Sequence, residues 1–368
     1  MKFTCSQSAL LNAVNMVNKA VSAKTTVPAL KGILLKTEKN ELVLTGSDLD
    51  FSVITRIDIV EAEEGSIIIS AKLFSDIIRK LPNAMVKIFS DEKNRLCVSC
   101  LDSTFNIVGA PSDEYPSLGS VYSENFIEID RKAFTEIIGK TCFAASIDEK
   151  KGILTGSLLK IEGGKLEMVS LDGFRMAVAS EATENQENMS IIIPAKKLNE
   201  ISKLLSEQES AEKIKLYIGD KMMQITAGDV KMITRLLDGE FIKYNEILPK
   251  MYKTRVIVSK EELQSSVERA SLFVIEGKNN LIKLKIDENG IEITSRNDSG
   301  NVSEIVSAEL EGNPIEIGFN SKYLMDGLKA AGGDEIALEM TNSLSSCIVK
   351  EADEDSYKYL VLPVRLSV

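Results

Sequence analysis

Ser70-Ala71-Lys72-Leu73-Phe74-Ser75-Asp76 returns as Pro194-Ala195-Lys196-Lys197-Leu198-Asn199-Glu200 and again as Asn320-Ser321-Lys322-Tyr323-Leu324-Met325-Asp326, at offsets of 124 and 250 residues. Each copy follows an apolar run (67–69, 191–193 and 315–319) and opens a segment with helical spacing of its apolar residues. The small polar residues at the junctions, Ser70 and Asn320 in particular, suit helix N-caps, because a short side-chain oxygen can accept an orphan backbone N–H of the first turn. One strand-to-helix unit is therefore written three times in the chain.

Three further segments keep the same order. Apolar alternation gives way to helical spacing at Phe3, Cys5, then Leu10, Val14, Val17. The same change occurs at Ile127, Ile129, then Phe134, Ile138, and at Val256, Val258, then Leu263, Val267, Ala270, with offsets of 124 and 253. Alternating stretches at 42–48, 166–172 and 291–297 each end in a polar turn, and Glu114-Tyr115 returns as Glu240-Phe241 after 126 residues. Four segments in register predict three related domains, 1–120, 126–247 and 253–368, with linkers near 117–125 and 249–254. Each is expected to hold two helices and about eight strands and, being too long for a solenoid unit, to own a core. Turn signals at Glu162-Gly163-Gly164-Lys165 and Asp287-Glu288-Asn289-Gly290 make the strands antiparallel hairpins, so the class is α+β.

Composition excludes several kinds of chemistry. The 368 residues contain no histidine and no tryptophan. Without imidazole there is no Ser–His or Cys–His pair, no histidine base and no His-bearing zinc site. The apolar fraction of 44% and charged fraction of 27% are those of a globular protein. No run approaches a membrane span, and Met1 to Gln7 lacks the apolar stretch of a signal peptide. Five scattered cysteines do not form a disulfide framework, so the expected compartment is the cytoplasm. Cys97-Val98-Ser99-Cys100 lies in an alternating strand with no second pair, which favours plain thiols over zinc or redox roles. The carboxylates Asp48 with Asp50, Asp91 with Glu92, and Asp353 to Asp355 sit in turns, where Asp is favoured for backbone reasons, so no metal is expected.

The charge is unevenly placed. Against a formal net charge of −11, the six expected helices (7–21, 71–81, 130–142, 195–206, 260–274, 321–331) hold 14 Lys and Arg but 8 Asp and Glu, leaving −17 for the rest. Solvated helix faces would account for one such helix, but six in three repeats point to a shared cationic surface for a phosphate backbone. Helices about 10 Å wide closing side by side would leave an opening of only ~10 Å for six, and roughly 28 Å for twelve. Only the second passes a duplex, and two chains with two-fold symmetry would build it.

With these residues in place, the chain resembles the beta subunit of bacterial DNA polymerase III, the sliding-clamp family, from Met1-Lys2-Phe3 to Leu362-Pro363-Val364-Arg365-Leu366. The markers are Val27-Pro28-Ala29-Leu30, Leu44-Thr45-Gly46-Ser47-Asp48-Leu49, Asp172-Gly173-Phe174-Arg175-Met176-Ala177, Ile317-Gly318-Phe319-Asn320 and the C-terminal tail. The resemblance implies three DNA-clamp domains, closed as a head-to-tail homodimer into a six-domain ring that encircles duplex DNA and tethers the replicative polymerase. It implies no catalysis and no cofactor, and no G-x-x-x-x-G-K-[ST] phosphate loop is present. Polymerase, clamp loader and repair proteins would dock short peptides in a groove.

The groove positions implied are Leu154, Leu171, Gly173, Phe174, Arg175, Met176, Ile242, Ile247, Leu344, Ser346, Leu360, Val361, Leu362, Pro363, Val364 and Arg365. The aliphatics would line an apolar slot, though the same pattern also suits a plain core, and Arg175 and Arg365 would bind peptide carbonyls or carboxylates. The tail 359–363 reads otherwise as a final strand, with Pro363 marking an edge or exit. Phe174 stands where many relatives have His, Ile242 where Pro is common, and Glu246 where some have a basic residue, so an altered peptide preference is expected. DNA-facing positions implied are Lys24, Lys72, Lys150, Lys151, Lys196 and Lys197, with Gly152-Ile153 where relatives carry a Tyr pair. Phe105, Leu272 and Phe273 would lie at the dimer interface, or else in a monomer core. Two other classes stay open from the residues alone: a metal-dependent phosphodiesterase acting on nucleic acid, and a structural repeat protein without a DNA role.

Overall fold

The computed structural model describes residues 1–119, 121, 125–275 and 280–366. The predicted linker 117–125 falls partly outside the described residues, as do the last two positions of the third predicted domain. Six α-helices appear among the described residues: α1 (Gln7–Asn18), α2 (Ala71–Lys80), α3 (Arg131–Thr141), α4 (Ala195–Ser206), α5 (Lys260–Ala270) and α6 (Ser321–Ala330). They begin at the repeated junctions, as the spacing predicts. Ser6 accepts from Ala9 N at 3.2 Å, Ser259 from Glu262 N at 3.4 Å, and Asn320 from Lys322 and Tyr323 N at 3.0 and 3.2 Å. Ser70 occupies the N-cap position of α2 but its hydroxyl makes no capping bond, which corrects the expectation for that residue. Each helix turns an apolar stripe inward, Leu10, Val14 and Val17 in α1 and Leu263 and Val267 in α5 being fully buried.

Two compact units result, and both are antiparallel throughout. The first takes residues 1–132 and 200–236, and holds a five-stranded sheet and an eight-stranded sheet. The second takes 133–199 and 237–368, with a nine-stranded and a four-stranded sheet. The central repeat is shared out because its strands pair outward. Val230–Arg235 hydrogen-bonds to Phe51–Asp58, with Thr234 opposite Phe51. Arg175–Ala182 does the same with Tyr357–Val361, Arg175 lying opposite Val361. Continuous ladders satisfy backbone groups that separate domains would leave at open edges.

In the second unit the last strand is locked onto α6. The buried Tyr359 hydroxyl donates to Tyr323 O at 2.7 Å and the Tyr357 hydroxyl to Gly327 O at 3.3 Å. Gly327 is in contact with the Tyr359 ring, and an added Cβ would stand 2.2 Å from Tyr359 Cδ1. Gly327→Ala is therefore expected to lower stability by about 2 kcal/mol, overpacking outweighing the roughly 1 kcal/mol that Ala contributes to a helix. A thermal melt at or above the wild-type midpoint would show that the ring can yield.

Candidate functional site

In the second unit several of the implied positions meet at one turn. Between the strands Lys165–Leu171 and Arg175–Ala182, Asp172 Oδ1 accepts from Phe174 N at 2.8 Å and Arg175 N at 3.1 Å, with Gly173 at φ +94°. A φ in the left-handed region suits glycine, and the turn carries Phe174 outward with 54% of its surface exposed. The tail then passes beside it. Leu362 N donates to Phe174 O at 2.9 Å, and Val364 N to Gly318 O at 2.8 Å. Pro363, which has no N–H to donate, lies between these bonds, just past the strand end at Val361, as an exit position requires.

The implied groove residues separate into two layers. Leu171, Met176 and Leu360 are buried in one cluster with Leu158, Ile348 and Tyr244, with Leu154, Phe241 and Leu248 packed against it. Val361 is fully buried. Val361, paired with Arg175 and Cys347, lies on the strand face opposite Leu360. Phe174, Ile242, Ile247, Leu344 and Leu362 are exposed apolar residues. Ser346, Pro363 and Val364 are half-buried, while Gly173 and Arg365 are exposed. An apolar side chain buried against such residues would gain about 1.5–3 kcal/mol.

Arg175 is held by several partners within the chain. Its guanidinium donates to Asp172 Oδ2 at 3.1 Å, Asp326 Oδ2 at 2.5 Å and Phe143 O at 3.0 Å, and lies 4.5 Å from the Tyr323 ring centroid. Burial opposes its charge, but the Tyr359 and Asp326 oxygens outweigh that and hold its pKa above the ordinary arginine value. Those partners tie the turn to α6.

Lys151, expected at the DNA face, reaches the same turn. Its Nζ donates to Asp172 O at 2.7 Å and stands 5.3 Å from the Phe174 ring, which stacks on Tyr323 at 6.3 Å between centroids. The wall is thus a cation–aromatic stack running from Lys151 through Phe174 and Tyr323 to Arg175. Tyr323 and Asp326 escaped the sequence reading. The signal was present in the repeated segment, where Tyr323 replaces Leu73 and Lys197.

The other implied cations are scattered. Lys24, Lys72, Lys150 and Lys196 are exposed and Lys197 is half-buried. Lys72 borders a cavity of about 500 Å³ with Asn18, Lys31 and Ser75. Lys196 pairs with Glu149 at 3.3 Å, which joins the first turn of α4 to the loop bearing Lys150. The helix charge excess is partly offset locally, by Lys19–Glu207, Arg79–Asp76, Lys140–Glu136, Lys203–Glu200 and Arg269–Glu304. Arg131 is buried, donating to Ala211 O and Leu205 O. Lys72, Lys80, Lys322 and Lys329 have no carboxylate within 4.0 Å among the described residues.

Phe105 lies on Ser103–Val108, an outer strand of the five-stranded sheet, with Leu101 and Val108 exposed beside it. Leu272 is 76% exposed in the turn after α5, and Phe273 is half-buried. Ile305 is 75% exposed on Gly300–Val306, an outer strand of the four-stranded sheet. Leu101, Val108 and Ile305 were missed because alternation marks strands without saying which are edges.

Among the described residues, no three Cys, Asp or Glu gather as a metal set, and no helix is long and apolar enough to cross a membrane. Burial pushes the thiols of Cys5 and Cys142 up to about 12, which makes them poor nucleophiles.

Comparison with known proteins adds to this geometry. Residues 1–119 match the N-terminal domain of the DNA polymerase III beta subunit, 128–243 its central domain and 245–365 its C-terminal domain. The chain is 35% identical over 376 aligned residues to the beta sliding clamp of Staphylococcus epidermidis, covering 99% of each, and 34% identical to that of Staphylococcus aureus. Among solved structures, the DNA polymerase sliding clamp of Bacillus subtilis is similar at a TM-score of 0.95 and 32% identity over all of both chains. A sliding clamp from Pseudomonas aeruginosa bound to griselimycin is similar at 0.94 and 30% identity, again over all of both chains.

Proposed function

We propose, from the premise that this chain belongs to the DNA polymerase III beta subunit family and is a non-catalytic sliding clamp, that two copies close head to tail into a ring around duplex DNA. The observation that carries this reading is a pair of unmatched edges. Phe51–Asp58, Arg175–Ala182 and Gly300–Val306 are repeat equivalents, spaced by 124 and 125 residues. Their partners Val230–Arg235 and Tyr357–Val361 are likewise equivalent to Ser103–Val108, Val108 standing 126 residues before Thr234. The first two pairs are made within the chain. Gly300–Val306 and Ser103–Val108 are edge strands, and a second copy supplies each with the partner that the repeat calls for. Phe105, Leu272 and Phe273, joined by Ile305, form the apolar seam.

The ring holds DNA by topology, and lysines such as Lys24, Lys72, Lys150 and Lys196 screen the backbone without reading bases. We assign domains at 1–120, 126–247 and 253–368, and a cytoplasmic location in keeping with replication and five free thiols. The Phe174 groove takes short apolar peptides of the polymerase, clamp loader and repair proteins. Griselimycin, bound by the Pseudomonas aeruginosa relative, is a candidate competitor for it.

The test is electron microscopy of the purified protein, followed by retention on nicked circular plasmid after loading by a clamp loader. Six-lobed rings that stay on circles and run off when the plasmid is cut are expected. Crescents of single-chain mass, or equal retention on linear DNA, would sink the reading. For the groove, Phe174→Ala with Leu362→Ala is expected to weaken a Leu- and Phe-rich peptide by about 30-fold or more, from two lost apolar contacts. Ring mass should be unchanged; unaltered fluorescence-anisotropy titrations would remove these residues from the groove.

The chain has no histidine, so wild-type affinity for His-free peptides is expected to stay flat between about pH 6 and 8. Phe174→His should introduce a pH dependence and reorder a peptide panel. Identical affinities across the panel would count against a role for Phe174 in preference.

A further inference from the structure

We propose that the junction of the first and central repeats is a closed copy of the groove, and that Asp50, Arg235, Ser47 and Ser52 keep partner peptides out of it. This rests on reading the Phe174 groove as the peptide site.

The first unit contains the same turn. Asp48 Oδ1 accepts from Asp50 N at 3.1 Å and Phe51 N at 2.7 Å, as Asp172 does from Phe174 and Arg175. Leu49 takes φ +77° where Gly173 has +94°. The neighbouring strand arrives alike: Thr234 lies opposite Phe51 as Val361 lies opposite Arg175. Arg235 N donates to Asp50 O at 2.9 Å, the counterpart of Leu362 N to Phe174 O. Asp50 therefore stands in the place of Phe174, and Arg235 in that of Leu362.

The back wall is still apolar, with Leu30, Ile68 and Tyr115 buried together. The mouth and floor are changed. Arg235 Nε meets Asp50 Oδ1 at 3.1 Å across the mouth. Beneath it, where Leu171 pairs with Met176, Ser47 pairs with Ser52, their hydroxyls 2.8 Å apart and both buried. An incoming leucine or phenylalanine would have to strip water from an ion pair and lie against two hydroxyls already satisfied by each other. It would gain little apolar contact in return. Closure of this copy sets the valency at one peptide per chain, hence two per ring.

The test is a gain of binding. In full-length protein carrying Phe174→Ala and Leu362→Ala, the peptide that binds wild type most tightly should no longer bind. Adding Asp50→Phe and Arg235→Leu, both on exposed side chains, is expected to restore binding at about 10- to 100-fold below wild type, because the polar floor remains. Adding Ser47→Ala and Ser52→Ala should tighten it further. No binding in either variant, with an unchanged melting temperature, would overturn the proposal. If wild type itself binds no peptide of the panel, the groove reading fails instead, so the two failures are distinguishable.

Discussion

Leu272→Asp is expected to convert a particle of about twice 40.4 kDa into one of 40.4 kDa in sedimentation at micromolar concentration. The proposed seam sets Leu272 against the Phe105 edge of a second copy, so the substitution removes apolar burial worth about 1.5–3 kcal/mol. It also places a carboxylate where no cation is arranged to receive it, adding roughly 1–3 kcal/mol more. A two-fold ring contains the seam twice. At about 4 kcal/mol for each, the dimer dissociation constant should rise by nearly six orders of magnitude. Ile305→Asp should act in the same direction. Leu49→Asp is the control, since Leu49 is 44% exposed on a turn that belongs to neither edge strand. An unchanged dimer mass for Leu272→Asp would move the interface elsewhere on the chain.

Arg175→Met should cost about 3 kcal/mol of stability and weaken peptide binding at the same time. The substitution keeps much of the side-chain volume but leaves Asp172 and Asp326 without their guanidinium in a mostly buried place. Breaking a buried pair from one side costs about 3–5 kcal/mol. The lower figure applies because the Asp326 side chain remains 29% exposed and water can reach it. Arg175→Lys should rescue little, since one ammonium cannot serve Asp172, Asp326 and Phe143 O in fixed directions. A shift of the denaturation midpoint together with the affinity loss marks Arg175 as a positioning residue. Affinity loss with an unmoved midpoint would return it to direct peptide contact.

Much of this protein was legible in its sequence because repetition and periodicity are local properties. The copies of Ser70 to Asp76 placed three of the helices, hairpin signals made the strands antiparallel, and the absence of histidine removed most hydrolytic chemistry. Pro363 marked the end of the last strand through a missing N–H. The family markers carried the implied site as a set of positions, which the tertiary structure divided into buried and exposed residues.

Charge counting was less informative. Arg131 entered the count as a helix-surface cation, yet it is buried on the carbonyls of Leu205 and Ala211, which lie more than 70 residues away. The contacts of Lys151 and Arg175 were not legible for the same reason. Their partners were decided by where a turn, a tail and α6 meet, and the Arg175–Asp326 pair spans 151 residues. By itself the sequence determined the repeated unit, its secondary structure and the chemistry it lacks, since backbone propensity and apolar period act over a few residues. Which strands pair across repeats, which edges stay open and which charges are already neutralised were decided only in three dimensions. Those outcomes depend on side-chain direction and long-range contact, neither of which leaves a period in the chain.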